Sequence, residues 1–273
     1  MRRALLAAVV TALLWTGPAG AATGYGILAL GDFGVGGTTE RDMGASMKTF
    51  ETTHPASALL TLGDNDYTES PTAFHNNWVS SFGWARNQGL TAIGTLGNHD
   101  NLVDRGRYEF DELNMPRGYY KRTIGNVQFF ILNSNYVNTT QTSWLETALA
   151  GSTARWKIVV FHHPPWTCGG HRGNTAVIQN WVPVMEHYGV DLVLSGHDHN
   201  YQRFAARNGV RYIVHGGGGQ HLYSLTSCPA GYPTRLFARA VHGFLYLRAT
   251  DGYLRVSSVT RARHFIDRLT IYP

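Results

Sequence analysis

Apolar and polar positions follow two different registers along this chain, and the changes of register mark its elements. Short unbroken apolar runs at Tyr25–Leu30, Ala58–Leu62, Thr91–Leu96, Val127–Asn133, Trp156–Phe161 and Val190–Ser195 read as strands buried on both faces. Between them, Thr39–Thr52, Pro71–Trp84, Thr142–Ala150 and Asn174–Tyr188 carry apolar residues at helical spacing. Thr142 is followed three positions on by Leu145 rather than an acidic residue, so a helix starting there lacks a capping box. The last third changes character. Arg211–His215, Phe244–Thr250 and Tyr253–Val259 alternate like antiparallel strands, with Asp251-Gly252 as a tight turn between the last two. No linker, repeat or low-complexity tract divides the chain. The pattern predicts one α/β domain, βαβ-like in its first half and strand-rich in its second.

Composition narrows the class. The chain has 273 residues, 43% of them hydrophobic and only 15% charged, which is too apolar for disorder. Its 31 glycines show no period of three, which excludes a collagen-like rod. No apolar run reaches the ~20 residues of a membrane span. The N-terminus stands apart: Arg2 and Arg3, an apolar run Ala4–Trp15, a break at Gly17-Pro18, then Ala19-Gly20-Ala21. Those are the three parts of a secretory signal peptide over residues 1–21, with the domain at 22–273. Cleavage near Ala21 leaves 252 residues and lowers the formal net charge from +5 to +3. Lys and Arg are not clustered, so there is no nucleic-acid patch. Export, to the cell exterior or a periplasm, would place Cys168 and Cys228 in an oxidising compartment and favour a disulfide between them.

Five predicted strands run straight into polar clusters: Gly31-Asp32-Phe33-Gly34, Gly63-Asp64-Asn65-Asp66-Tyr67, Gly97-Asn98-His99-Asp100, His162-His163-Pro164-Pro165 and Gly196-His197-Asp198-His199-Asn200. Ligands of open α/β sheets bind outside the carboxyl ends of strands, so all five belong on one rim. Crowded carboxylates and imidazoles are costly without a cation. Two carboxylates, a carboxamide, three imidazoles and a phenol hold too much oxygen for a structural zinc site and too much nitrogen for calcium. That donor count suits two metal ions sharing a carboxylate, an arrangement that clamps a phosphoryl transfer. Asp66 and Asp100 read as carboxylates that support the ligands from behind or close turns, not as ligands; Trp166 reads as a packing residue, and Tyr201 and Arg203 as sheet residues.

The order Gly-Asp-x-Gly, Gly-Asp-x-x-Tyr, Gly-Asn-His-Asp, Val-x-x-His, Gly-His-x-His resembles the calcineurin-like metallophosphoesterases. With Tyr67 three residues after Asp64, it is more narrowly similar to the purple acid phosphatases, and in size to their small mammalian-type branch. The resemblance implies a four-layer α/β/β/α sandwich, two mixed sheets flanked by helices. It implies Fe(III) at Asp32, Asp64, Tyr67 and His199, and Fe(II), Zn or Mn at Asp64, Asn98, His162 and His197, with Asp64 bridging. His162 rather than His163 is the ligand because the family places it two residues before a proline. His99 matches the leaving-group acid or a phosphate contact, and His171 a further substrate-binding imidazole. His163 has no counterpart and is assigned to the substrate's surroundings. The Gly216–Gly219 run resembles a segment after the last motif and reads equally as a flexible turn or a phosphate contact.

The expected function is therefore a secreted, monomeric phosphatase that hydrolyses small phosphate monoesters by in-line attack of a metal-activated hydroxide. A phosphodiesterase or nucleotide hydrolase of the same superfamily is the alternative. A secreted metal-binding or adhesive protein without turnover is the reading from another class.

Overall fold

Alternate burial along each strand decides where the layers lie. The computed structural model describes residues 24–273, so the expected signal peptide lies outside the described residues. In chain order the elements are β1 Tyr25–Leu30, α1 Gly37–Glu51, β2 Ala58–Thr61, α2 Pro71–Asn87, β3 Thr91–Ile93, β4 Tyr120–Ile124, β5 Val127–Ile131, α3 Thr139–Ala150, β6 Trp156–Val160, α4 Thr175–Asn180 and α5 Val182–His187. They continue with β7 Leu192–Ser195, β8 Tyr201–Phe204, β9 Arg211–His215, β10 Arg235–Arg239, β11 Gly243–Ala249, β12 Leu254–Thr260 and β13 Phe265–Ile271. A single 3-10 turn, Asp100–Leu102, and a kinked 3-10 segment, Asp104–Glu109, follow β3.

The strands form two mixed sheets, one in the order β13-β12-β11-β1-β2-β3 and the other β10-β8-β9-β7-β6-β5-β4. In the first, β1, β2 and β3 are mutually parallel; in the second, β5, β6, β7 and β9 are. Even-and-odd alternation divides the second sheet's residues between two cores. Phe129, Ile131, Ile158, Val160, Leu192 and Leu194 join the core between the sheets. Phe130, Val159, Phe161 and Val193 face a separate core with Leu145 of α3, Val177 of α4 and Met185 of α5. Met43, Met47 and Phe50 of α1, with Phe74, Trp78 and Phe82 of α2, cover the first sheet. The result is the four-layer α/β/β/α sandwich. Truncating one such buried phenylalanine, Phe129→Ala, would cost about 3–5 kcal/mol.

Local chemistry sets the helix starts. Ser70 caps α2 by accepting from the Ala73 N–H, with Pro71 at the first position. The helix expected from Thr142 begins three residues earlier, because the Asn138 side chain accepts from the Gln141 N–H at 3.0 Å and supplies the cap Thr142 lacked. The single helix expected over Asn174–Tyr188 is two short ones that meet at Trp181. Pro183 has no N–H to continue the ladder and instead opens the second. Asp251-Gly252 does form the turn between β11 and β12. No helix among the described residues is long and apolar enough to cross a membrane.

Candidate metal centre

Parallel strands deliver their side chains to one rim. β1, β2 and β3 of the first sheet lead into Asp32, Asp64 and Asn98; β6 and β7 of the second lead into His162 and into His197 and His199. Asp32, Asp64 and His197 turn off their strands in left-handed backbone, with φ of 59°, 53° and 71°. For residues with a Cβ that conformation costs roughly 1–2 kcal/mol each. In return it aims the side chains back across the strand ends. Gly97 is also required, because a Cβ there would overlap the Asp64 carboxylate and backbone.

Seven donors meet in two adjoining groups. The Tyr67 hydroxyl lies 3.0 Å from Asp64 Oδ2, 3.4 Å from Asp32 Oδ1 and 3.3 Å from His199 Nε2. His199 Nε2 is in turn 3.3 Å from Asp32 Oδ1. In the second group His162 Nε2 lies 3.4 Å from Asp64 Oδ2, 3.2 Å from Asn98 Oδ1 and 3.2 Å from His197 Nδ1. Asp64 Oδ2 is the shared corner. An ion with bonds of about 2.0–2.2 Å holds neighbouring donors roughly 3 Å apart, which these separations match. The carboxylate and imidazole sets whose donor atoms all lie within 4.8 Å of one another are Asp32, Asp64 and His162, and His162, His163 and His197.

Surrounding atoms fix which face of each ligand is presented. His162 Nδ1 binds the Leu62 carbonyl at 2.9 Å and His199 Nδ1 the His221 carbonyl at 2.8 Å, leaving each Nε2 inward. The outer carboxylate oxygens are tied as well: the His197 N–H donates to Asp32 Oδ2 and the His99 N–H to Asp64 Oδ1, both at 2.9 Å.

Electrostatics argue for cations at the centre. Burial, then Asp32 and Asp64, push the Tyr67 phenol far above its usual range. Burial alone would lower His162, but Asp64 and Asp32 outweigh it and push the imidazole up to about 10. Without metal, then, a proton on His162 does the neutralising. A cation between these donors reverses both tendencies and admits a phenolate.

His99 and His171 flank the donors. The His99 ring packs 4.3 Å from that of Tyr67, and His171 stacks on His197 at 3.9 Å and 24°. His163 also belongs to the cluster: its ring is 4.4 Å from that of His197, and its Nδ1 is 2.8 Å from Ser134 Oγ. Nitrogens of His162, His163 and His197 all lie within 4.8 Å of one another. Burial and the neighbouring His162 push His163 down to about 3.

Tyr223 and His221 left no mark in the sequence pattern. Tyr223 stacks on His199 at 4.2 Å and 10°, on the segment that also supplies the His221 carbonyl. Cys168 is bridged to Cys228, which fastens the His171 loop to that same segment. The Gly216–Gly219 run is buried rather than a flexible turn, and two of its four N–H groups are taken: Gly216 donates to Asn200 O and Gly218 to Gly31 O. Trp166 is buried against Tyr212, and Asp66 closes a turn by accepting from the Thr68 N–H. Tyr201 and Arg203 lie in β8 and both donate to Asp267.

Asp100 does more than end a turn. Fully buried, it accepts from the backbone N–H groups of Asn65 (2.7 Å), Asp66 (3.0 Å) and Gly97 (2.7 Å), and from Asn65 Nδ2 (2.9 Å). It therefore locks together the loops that carry Asp64 and Asn98. Buried Glu109 also accepts from Asn65 Nδ2, at 2.8 Å. Burial and then Asp100 hold its carboxyl well above the usual range, so it is the proton-bearing partner.

Residues 25–201 match the calcineurin-like phosphoesterase family. The tartrate-resistant acid phosphatase type 5 of Oryctolagus cuniculus is 26% identical, over 93% of this chain and 92% of that protein. Its Mus musculus counterpart is 27% identical over 66% of this chain and 67% of its own length. Among solved structures, the purple acid phosphatase PPD1 of yellow lupin superposes with a TM-score of 0.75 at 17% identity, covering 92% of this chain and 54% of that one. GAP50, the anchor in the inner membrane complex of Plasmodium, gives 0.76 at 17% identity, covering 91% and 89%. At such identities the two solved structures show the shared fold alone.

Proposed function

This chain belongs to the calcineurin-like phosphoesterase family, and from that premise we propose that it is an exported acid phosphatase acting on small phosphate monoesters through two metal ions. The observation that carries the reading is the pair of donor groups joined at Asp64 Oδ2, with imidazoles on both flanks. Asp32, Asp64, Tyr67 and His199 would hold Fe(III), for which a buried phenolate is a hard anionic donor. Asp64, Asn98, His162 and His197 would hold Fe(II), Zn or Mn. Bound, such ions supply an acidified water and offset the charge of the phosphoryl group.

The protein's own residues do the rest. His99, tethered through its backbone N–H to Asp64 and packed on Tyr67, would give a proton to the departing oxygen. His171 is oriented by stacking on His197, and the disulfide steadies its loop for contact with a phosphoryl oxygen. His163, fixed by Ser134 beside His197, adds an imidazole to the same wall. The Cys168–Cys228 bridge supports export, as does the N-terminal composition.

Comparing p-nitrophenyl phosphate with its bis ester tests the substrate class: turnover of the monoester is expected, and a strong preference for the diester would overturn the choice. Metal-replete protein with no turnover of either would point to a binding role instead. The iron assignment has its own test, a purple absorption that Tyr67→Phe bleaches. Full activity in colourless protein loaded only with zinc or manganese would refute it.

A further inference from the structure

The rim carries a second feature that the proposed chemistry leaves unused. A cavity of about 380 Å³ opens where β5 ends and α3 begins, facing the segment that follows His99. Its charged lining is Arg105, Arg107 and Arg117, and no acidic residue lines it. The nearest carboxylate to these guanidinium groups in any ion pair among the described residues is that of Asp104, 4.0 Å from Arg107 and outside the lining. Arg117 is steadied instead by Tyr119, whose ring centroid is 5.1 Å from its guanidinium carbon.

The cavity shares a wall with the catalytic turn. Leu96, which precedes Gly97, forms part of the lining. The amide of Asn135 joins the two regions by donating to lining residue Asn133 and to the Gly97 carbonyl, both at 2.9 Å. The backbone that presents the arginines is unusual: Asp104, Arg105 and Gly106 are all left-handed, with φ of 43°, 54° and 73°. Two successive non-glycine residues in that region make a strained turn, and this one leaves both Arg105 and Arg107 on the cavity.

We propose that this cavity is an anion subsite beside the metal centre, one that takes the distal phosphate of a small substrate carrying two phosphoryl groups. The proposal rests on the phosphatase reading above and specifies its substrate class. Three guanidinium groups around one opening repel one another until an anion enters, and their planar forks match phosphate oxygens. The cavity is open to solvent, so its contribution is screened by salt. A substrate with a neutral leaving group has nothing to place there.

The test uses the metal-loaded full chain and alkanediol bisphosphates of increasing length, each paired with its own monophosphate. At low salt, at least one bisphosphate should exceed its monophosphate in kcat/KM by about tenfold or more, well beyond the factor of two that its second end supplies. Raising the salt to about 0.3 M should shrink the advantage. The triple variant Arg105→Gln, Arg107→Gln, Arg117→Gln should abolish it while leaving p-nitrophenyl phosphate turnover unchanged. Equal rates for mono- and bisphosphates in the parent, a preference that survives in the variant, or a variant that loses all substrates alike would each overturn the subsite. Absence of p-nitrophenyl phosphate turnover in the parent would refute the phosphatase reading itself, and the subsite with it.

Discussion

Replacing Asp100 by alanine would test whether the metal loops are held from behind. The change deletes four hydrogen bonds at a fully buried position, three of them from the backbone N–H groups of Asn65, Asp66 and Gly97. A buried donor left without a partner costs about 1–3 kcal/mol. Against that stands the cost of burying the carboxyl, which burial and Asp64 have pushed up to about 7. The expected net loss is about 3–5 kcal/mol, a large share of an ordinary domain's ~5–15 kcal/mol. With a urea dependence of ~2–3 kcal/mol per molar, the unfolding midpoint in excess chelator should fall by about 1–2 M. Elemental analysis supplies the second readout: Asn65 follows Asp64 and Gly97 precedes Asn98, so the purified variant should carry less metal. Asp100→Asn keeps the shape but faces bound N–H groups with an amide, and should fall between parent and alanine. An alanine variant within about 1 kcal/mol of the parent and fully metallated would refute the reasoning.

Other expectations follow from neighbouring features. Because burial holds the Glu109 carboxyl well above its ordinary 4.5, its contribution to stability is complete below that pH and declines as pH rises toward the folded value. Glu109→Gln should flatten that decline above pH 4.5, by at most about 1.4 kcal/mol per pH unit, read from urea unfolding of the chelated protein. For Asp267 the sign is opposite. Arg203 and Tyr201 outweigh burial and hold it below its ordinary value, so the stability it gives is lost as pH falls through that lowered value, and Asp267→Asn should make acid unfolding shallower. Cys168→Ser opens a loop closed across a separation of 60 residues, for which chain entropy gives about 4 kcal/mol. Its thermal midpoint should drop to match, and an unchanged midpoint would show that the bridge constrains nothing. Gly97→Ala should fold but bind less metal, because its methyl group displaces the Asp64 carboxylate; full occupancy would contradict the contact described.

Most of the proposed ligands were readable because they follow an apolar run that reads as an interior strand. Asp32 after Ile27–Leu30 and His162 after Ile158–Phe161 show this plainly. Asn98 follows β3, an edge strand, and was readable from its Gly-Asn-His-Asp cluster. The strands that escaped were at the margins: β4, β10 and β13 are the outermost strands of their sheets. Their partly exposed residues give no continuous apolar run. The β12–β13 pairing even slips register between Ser258 and Val259, which blurs alternation further. Tyr223 and the His221 carbonyl escaped for another reason. They reach His199 through a segment without regular structure, positioned by a disulfide and backbone bonds that local sequence does not encode. Asp100 was legible as a carboxylate that backs the ligands or closes a turn, but its N–H donors come from two separate loops, so which loops it joins depends on tertiary contact.

The division of ligands between the sheets has a consequence for assembly. Asp32, Asp64, Tyr67 and Asn98 come from the first sheet's strand ends, and His162, His197 and His199 from the second's, so neither half of the sandwich owns a complete set. An intermediate with only one sheet formed has no place for either ion, and an N-terminal fragment ending before β6 would stay metal-free however well it folded. On the proposed assignment, each ion would act as a rivet through both sheets. At a thousandfold excess over its dissociation constant it would add about 4 kcal/mol to their union. Metal retention then becomes an all-or-none gauge of whether the two halves have closed, and on heating the ions should leave at the temperature where the sheets part.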